Sequence, residues 1–125
     1  IQDYSHAINL QPDLLEAYHY RGIVRYGMKD LDGALADYNK AISLGLKSSA
    51  VYFNRGVIFH QKGQLSDAIE SYSRSIEIDP SNARAYYNRA ISKLIVDNYK
   101  EALQDLEISK RLGYSKAAEI ISQYY

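Results

Sequence analysis

The chain has 125 residues, 46% of them hydrophobic, which suits one ordinary globular domain with a packed interior. Fifteen basic and fifteen acidic residues give a formal net charge of zero, which argues against nucleic acid as a partner, because nucleic-acid-binding domains usually carry a basic excess. Cysteine is absent, so disulfides and thiolate metal sites are excluded. Apolar runs are too short to cross a bilayer, and we expect no direct membrane insertion.

The first residues already belong to a repeating pattern. Pro12 and Pro80 stand two full periods apart in the repeat that governs the rest of the chain, and helix breakers at such intervals punctuate a repeat array. Residues 1–10 predict the end of a helix whose beginning precedes the sequence. We therefore interpret residues 1–14 as the second half of a truncated repeat.

The remainder of the chain repeats with a period of about 34 residues, as Tyr18, Tyr52 and Tyr86 illustrate. Each repeat reads as a helix, a short break and a second helix with apolar residues at i, i+3, i+4 and i+7. The sequence predicts one array without an internal domain boundary. Its complete repeats, numbered 1 to 3, span residues 15–48, 49–82 and 83–116, and residues 117–125 form a trailing or capping helix.

Small residues recur in frame on both helices of each repeat. We expect them to face one another and to let the two helices approach closely, so that a bulky side chain there would separate the pair. The first-helix members are Gly22, Gly56 and Ala90, and the predicted facing residues are Ala34, Ala68 and Ala102.

An arginine precedes each of the small first-helix residues, so at least its stem is expected to be partly buried. A buried guanidinium requires a partner, and the second helices carry in-frame aspartates. The hypothesis is a ladder of structural Arg–Asp pairs; the alternative is that the arginines bind a ligand. The arginines are Arg21, Arg55 and Arg89, and the aspartates are Asp3, Asp37 and Asp105, with Ser71 as the exception.

The repeated residues resemble the pattern of the tetratricopeptide repeat (TPR) family over essentially the whole chain. Within each repeat the pattern has tyrosine at place four, glycine or alanine at place eight, alanine at place 20, an aromatic at place 24, a small residue at place 27 and proline at place 32. The chain departs from it at the eleventh place (Arg25 and Lys93, where Phe59 keeps the aromatic), at the exit proline (Leu46 and Tyr114) and at the second-helix aromatic (Leu106).

The resemblance implies an all-α fold, a right-handed α-solenoid of antiparallel helix pairs known as the TPR superhelix. It also implies a non-catalytic scaffold for protein–protein interaction, whose first helices line a concave groove for a peptide or helix of a partner protein. By helical phase, the groove-lining residues are His19, Tyr20, Ile23, Tyr26, Phe53, Asn54, Val57, His60, Arg84, Tyr87, Asn88 and Ile91.

This residue set predicts an amphipathic rather than an electrostatic groove. Aromatic anchors beside amides suit an extended peptide or an amphipathic helix, and Asn54 and Asn88 can both donate to and accept from a main chain. The alternative is that the groove is filled by the rest of the parent chain or by a second copy. The chain would then be a self-association module or a structural spacer, with end-to-end stacking of molecules as one form.

TPR co-chaperones that bind chaperone C-termini use a carboxylate clamp, which in this frame requires cations at 19, 84 and 88 and asparagine at 23 and 54. The chain has His19, Ile23, Asn54, Arg84 and Asn88. Because paired cations hold a terminal carboxylate, we predict no tight binding of an EEVD-type peptide.

Catalysis and metal binding are not indicated by the sequence. His6, His19 and His60 are the three histidines, and no hydrolase, phosphate-loop or metalloprotease motif accompanies them. We therefore expect no cofactor and no metal. We also expect no RNA partner, since a single strong cation lines the groove. The compartment is not encoded in the sequence; a soluble, cytoplasmic protein is the expectation.

Overall fold

The computed structural model describes residues 5, 7–9 and 14–125. Residues 5 and 7–9 are helical, within the predicted leading helix, whose other residues lie outside the described ones. The described part contains seven further helices and no strand, and it divides into two compact bodies, Ile1–Lys47 and Ser48–Tyr125. The helices are α1 (Leu15–Gly27), α2 (Leu31–Ser43), α3 (Ser49–Gln61), α4 (Leu65–Ile78), α5 (Ala83–Ile95), α6 (Tyr99–Arg111) and α7 (Ser115–Tyr124).

In the N-terminal body, α1 packs against α2. Both helices bury a stripe of mostly small residues at helical spacing, so the two backbones lie close together. The buried hydrophobic residues are Ala17, Ala34, Tyr38 and Ala41.

In the C-terminal body each helix packs on the next, and α3 also touches α5. Toward the C-terminus of this body, Ala117 of α7 is buried in a core with residues of α5 and α6. Ile120 and Ile121 of α7 pack against the same core. Because α7 turns its apolar residues toward this core, the exposed residues of the helix are mainly polar. They are Ser115, Lys116, Glu119, Ser122, Gln123 and Tyr124.

The turn inside each helix pair has the same geometry in all three repeats. Lys29 (φ 64°), Gly63 (φ 76°) and Asp97 (φ 64°) adopt the left-handed conformation, and they occupy equivalent positions of successive repeats. In each case the next residue's N–H donates back to the helix, as from Asp30 to the Arg25 carbonyl over 2.9 Å. This is the Schellman arrangement, in which glycine is the favoured residue.

Lys29→Gly should therefore raise the free energy of unfolding by about 0.5–1 kcal/mol, since left-handed backbone is costly for a residue with a Cβ. The reciprocal change, Gly63→Lys, should lower it by a similar amount, because a Cβ at Gly63 has space but the wrong φ. Urea unfolding of both variants checks the prediction. A shift of both midpoints in the same direction would contradict it.

The exits from the repeats use two different solutions. Gly45 (φ 108°) and Gly113 (φ 98°) end α2 and α6 in left-handed conformation, whereas Asp79 is extended (φ −132°) and precedes Pro80. Leu46 and Tyr114 can replace proline because the preceding glycine already stops the helix.

The close contact at the first-helix glycines differs from the predicted one. A Cβ built on Gly56 would lie 2.5 Å from Cε1 of Tyr72, and one on Gly22 would lie 2.8 Å from Cδ1 of Tyr38. The nearest neighbour is therefore the aromatic ring of the second helix, not the predicted alanine. The glycines make room for a buried tyrosine.

Candidate functional site

The first-helix arginines are engaged by the second helices, as the hypothesis of structural pairs predicts. Arg21 donates to both carboxylate oxygens of Asp37, at 2.8 and 2.7 Å, and its third nitrogen donates to Ser5 Oγ over 3.2 Å. Arg25 is a second cation on the same carboxylate, at 3.1 Å. Hydrogen bonding to Asp37 raises the pKa of Arg21 above its ordinary value, against the opposing effect of burial.

Repeat 3 contains the same cluster. Arg89 donates to both oxygens of Asp105 at 2.8 and 2.7 Å and to Ser73 Oγ at 3.1 Å, and Lys93 Nζ lies 3.0 Å from the same carboxylate. Asp105 is 3% exposed, and these cations supply the counter-charges that a buried carboxylate requires. The hypothesis is confirmed for these two arginines; Asp3 lies outside the described residues.

Repeat 2 replaces the cluster with a different set. Arg55 donates to Ser71 Oγ over 3.0 Å and lies 3.3 Å from Glu70. Its guanidinium is 4.9 Å from the Tyr52 ring centroid and 6.0 Å from that of Phe59, within range of cation–π attraction. These contacts explain why the chain departs from the family pattern at the eleventh place of the repeat. A cation stands at that place where the second helix supplies aspartate, and an aromatic residue stands there where the second helix supplies serine.

The face that α3 and α5 share carries two cavities. The first, of about 250 Å³, is lined mostly by apolar side chains, together with an imidazole and two amides. Five of the predicted groove residues line it. The complete lining is Val57, His60, Gln61, Tyr72, Tyr87, Asn88 and Ile91.

The second cavity, of about 230 Å³, lies toward the beginnings of the same two helices. Its lining is Ala50, Phe53, Asn54, Asn82 and Arg84. The Arg84 guanidinium lies 5.3 Å from the centroid of the Phe53 ring, and the Asn82 side-chain oxygen caps α5 by accepting from Ala85 N over 3.2 Å.

Neighbouring side chains hold the walls of the first cavity in place. Tyr87 meets Tyr114 edge to face with centroids 4.9 Å apart, and His60 Nδ1 hydrogen-bonds the buried Ser92 hydroxyl at 3.2 Å. Burial, with smaller contributions from Tyr114 and Glu119, raises the pKa of Tyr87 above its ordinary value. Its phenol is therefore a neutral hydrogen-bonding group at pH 7.

The other four predicted groove residues lie on α1, in the N-terminal body. His19 and Tyr20 stack with centroids 5.1 Å apart, Tyr20 and Ile23 are exposed, and Tyr26 is half-buried. Burial lowers the pKa of His19 below its ordinary value, although Glu16 acts in the opposite direction. The His19 ring is neutral at pH 7, which makes it a poor substitute for a clamp cation.

Sequence reasoning missed the cavity residues that lie off the first-helix face. Tyr72 is a second-helix core residue, and Asn82 precedes α5. Tyr114, which packs against the cavity residue Tyr87, stands in the exit turn where the family has proline. The one available signal was an aromatic in place of that proline, a substitution that a turn alone does not require.

Across the described ranges, no three His, Asp or Glu side chains converge into a metal-binding cluster. None of the helices in those ranges combines the length and apolar character that a bilayer span requires.

Short paired helices recur at a fixed interval along the chain, with small residues where the helices of a pair meet. This arrangement is that of a helical-repeat protein of the TPR type. Residues 56–93 match the family model described as TPR repeat. The described part of the chain has the all-α fold of the TPR solenoid. The comparison with curated proteins found no match.

Solved structures share the fold at low sequence identity. The MamA RS-1 ArsTM double mutant matches with a TM-score of 0.80 at 18% identity, over 90% of this chain and 64% of that one. The Arabidopsis OM64 TPR domain gives 0.77 at 23% identity, over 89% and 96%. The first TPR of Spaghetti (RPAP3), bound to the HSP90 peptide SRMEEVD, gives 0.72 at 15% identity, over 86% and 93%.

Proposed function

We propose that residues 1–125 form a single TPR array that serves as a non-catalytic protein-interaction scaffold. The face shared by α3 and α5 binds a peptide or helix of a partner protein. The observation that carries this proposal is the pair of cavities on that face, lined by all eight groove residues predicted for these two helices. For the N-terminal body, the proposed groove residues are His19, Tyr20, Ile23 and Tyr26 on α1.

A polypeptide suits the α3/α5 face better than a small metabolite. The cavities succeed one another along α3 and α5, with Phe53 and Asn54 one turn before Val57 and two turns before His60. Each cavity also has an asparagine, which can donate to and accept from peptide main chain. The RPAP3 neighbour, whose fold is similar, is bound to a peptide.

The face offers a single cation and therefore does not reproduce a carboxylate clamp. Asn54 and Arg84 line the same cavity, whereas Asn88 stands at the other cavity where the clamp requires a cation. The absence of tight EEVD binding therefore remains a prediction. Isothermal titration with SRMEEVD tests it, and a sub-micromolar Kd would contradict it.

Tyr87→Ala should weaken peptide binding about 30-fold, because truncation removes an aromatic anchor from the wall of the apolar cavity. The probe is a library of random 12-residue peptides displayed on phage and selected on the immobilised chain. Affinities of the selected peptides are then measured by fluorescence anisotropy. Tyr124→Ala is the matched control, since Tyr124 is exposed on α7 and lines neither cavity.

Selected peptides that bind both variants equally well would refute the α3/α5 face as the binding site. If a second copy is the natural occupant, the wild type should self-associate in sedimentation velocity and Tyr87→Ala should not. Monomeric wild type that selects no peptides would refute the proposed function altogether.

A further inference from the structure

Arg84 differs from the other arginines of the first helices in having no acidic partner. Arg21, Arg55 and Arg89 each hydrogen-bond a side chain of the second helix, but among the described residues no carboxylate pairs with Arg84. Its guanidinium instead lies against the Phe53 ring, beside an open cavity. An arginine supported in this way is oriented to receive an anion.

The other polar groups of the cavity are also suited to an anion. Asn82 uses its side-chain oxygen to cap α5, so its amide nitrogen is the group with donors to offer. Asn54 contributes a second side-chain amide to the lining. No acidic residue belongs to either cavity lining, so a ligand carboxylate would meet no like charge there.

The apolar cavity determines which kind of side chain the ligand should carry near its carboxylate. From Arg84, the residues Tyr87 and Ile91 are one and two turns further along α5, or about 5–10 Å. An extended peptide rises about 3.3 Å per residue and points alternate side chains to the same side. The two cavities therefore match an acidic and an apolar side chain two residues apart, or three with a bend.

We infer that the partner segment carries an internal Asp or Glu for the Arg84 cavity and, two or three residues away, a large apolar side chain for the Tyr87 cavity. The inference rests on the proposed function. An internal side chain is the source of the carboxylate because a terminal one is held by paired cations. Of the residues lining these two cavities, Arg84 alone has a permanent charge.

The test uses the selected 12-residue peptides described above, sequenced and then synthesised with free and with amidated C-termini. Peptides selected on the wild type should be enriched in the acidic–apolar spacing, and amidation should change their affinity less than twofold. Arg84→Gln should weaken them about 3–5-fold and Arg84→Glu about 10-fold or more. Selection on Arg84→Glu should replace the acidic residue with Lys or Arg.

Arg74→Glu is the matched control, because it makes the same charge change on α4, where Arg74 pairs with Glu70 and Glu77. It should leave the affinities unchanged. Raising the salt concentration from 50 to 500 mM should weaken binding to the wild type but not to Arg84→Gln.

The outcomes separate this inference from the proposed function. Peptides that lose affinity with Tyr87→Ala but show no acidic enrichment, or bind Arg84→Glu as well as Arg74→Glu, would overturn the acidic–apolar motif and leave the binding face intact. A loss of affinity on amidation comparable to the Arg84 effect would also overturn it, in favour of a terminal carboxylate. Indifference to Tyr87→Ala would overturn both.

Discussion

Asp105→Asn should lower the free energy of unfolding by about 3–5 kcal/mol, because it leaves Arg89 and Lys93 as partly buried cations without a counter-charge. The carboxylate receives two short hydrogen bonds from Arg89 and a third contact from Lys93, and it is 3% exposed. Urea unfolding followed by circular dichroism measures the loss. Glu77→Gln is the matched control, since Glu77 pairs with Arg74 at the surface, and it should barely move the midpoint.

Repeat 2 indicates which further substitutions in repeat 3 should recover the stability lost without Asp105. Repeat 2 holds its arginine with serine, glutamate and an aromatic rather than with aspartate and a cation. The triple variant Lys93→Phe/Gln104→Glu/Asp105→Ser copies that set into repeat 3 and should recover at least half of the lost stability. If the triple variant is no more stable than Asp105→Asn, the two sets are not interchangeable solutions, and the explanation of the eleventh place is wrong.

The arginine pairs show what a single sequence can reveal about this fold. The repeat frame placed Asp37 and Asp105 opposite the arginines, because residues at equal repeat positions meet equal neighbours. The frame could not assign Arg25 and Lys93 to the same carboxylates. Their role depends on a side chain reaching across a helix pair, so in the sequence they read only as missing aromatics.

The residues of the candidate site also divide into those that the sequence predicted and those that it did not. Helical phase was sufficient to choose first-helix positions such as Val57 and Ile91 as groove residues, since one face of each helix packs in the core and the other remains for the groove. It could not find Tyr72, a second-helix residue whose ring reaches the cavity through the contact with Gly56. The Tyr72 ring was also not predicted to lie against Gly56, because the small residues of the two helices were matched with each other.

Gly56→Ala should lower the free energy of unfolding by about 1–3 kcal/mol through overpacking, although the same change on an exposed helix gains up to about 1 kcal/mol. The added Cβ would lie 2.5–2.9 Å from three atoms of the Tyr72 ring, which is 2% exposed and has little room to move. Gly27→Ala is the matched control. A Cβ there meets nothing within 4 Å, so this variant should gain about 0.4–1 kcal/mol.

Repeat 3 shows how the clash is relieved, since Ala90 stands there at the place of Gly56 and Leu106 at the place of Tyr72. The double variant Gly56→Ala/Tyr72→Leu should therefore cost less than the sum of its single changes, with a coupling energy above about 0.5 kcal/mol. Strict additivity would contradict a direct contact. Because Tyr72 also forms part of the apolar cavity wall, the double variant should still bind the selected peptides more weakly than the wild type. The glycine is thus conformationally ordinary but sterically required: it admits the tyrosine that shapes the proposed binding face.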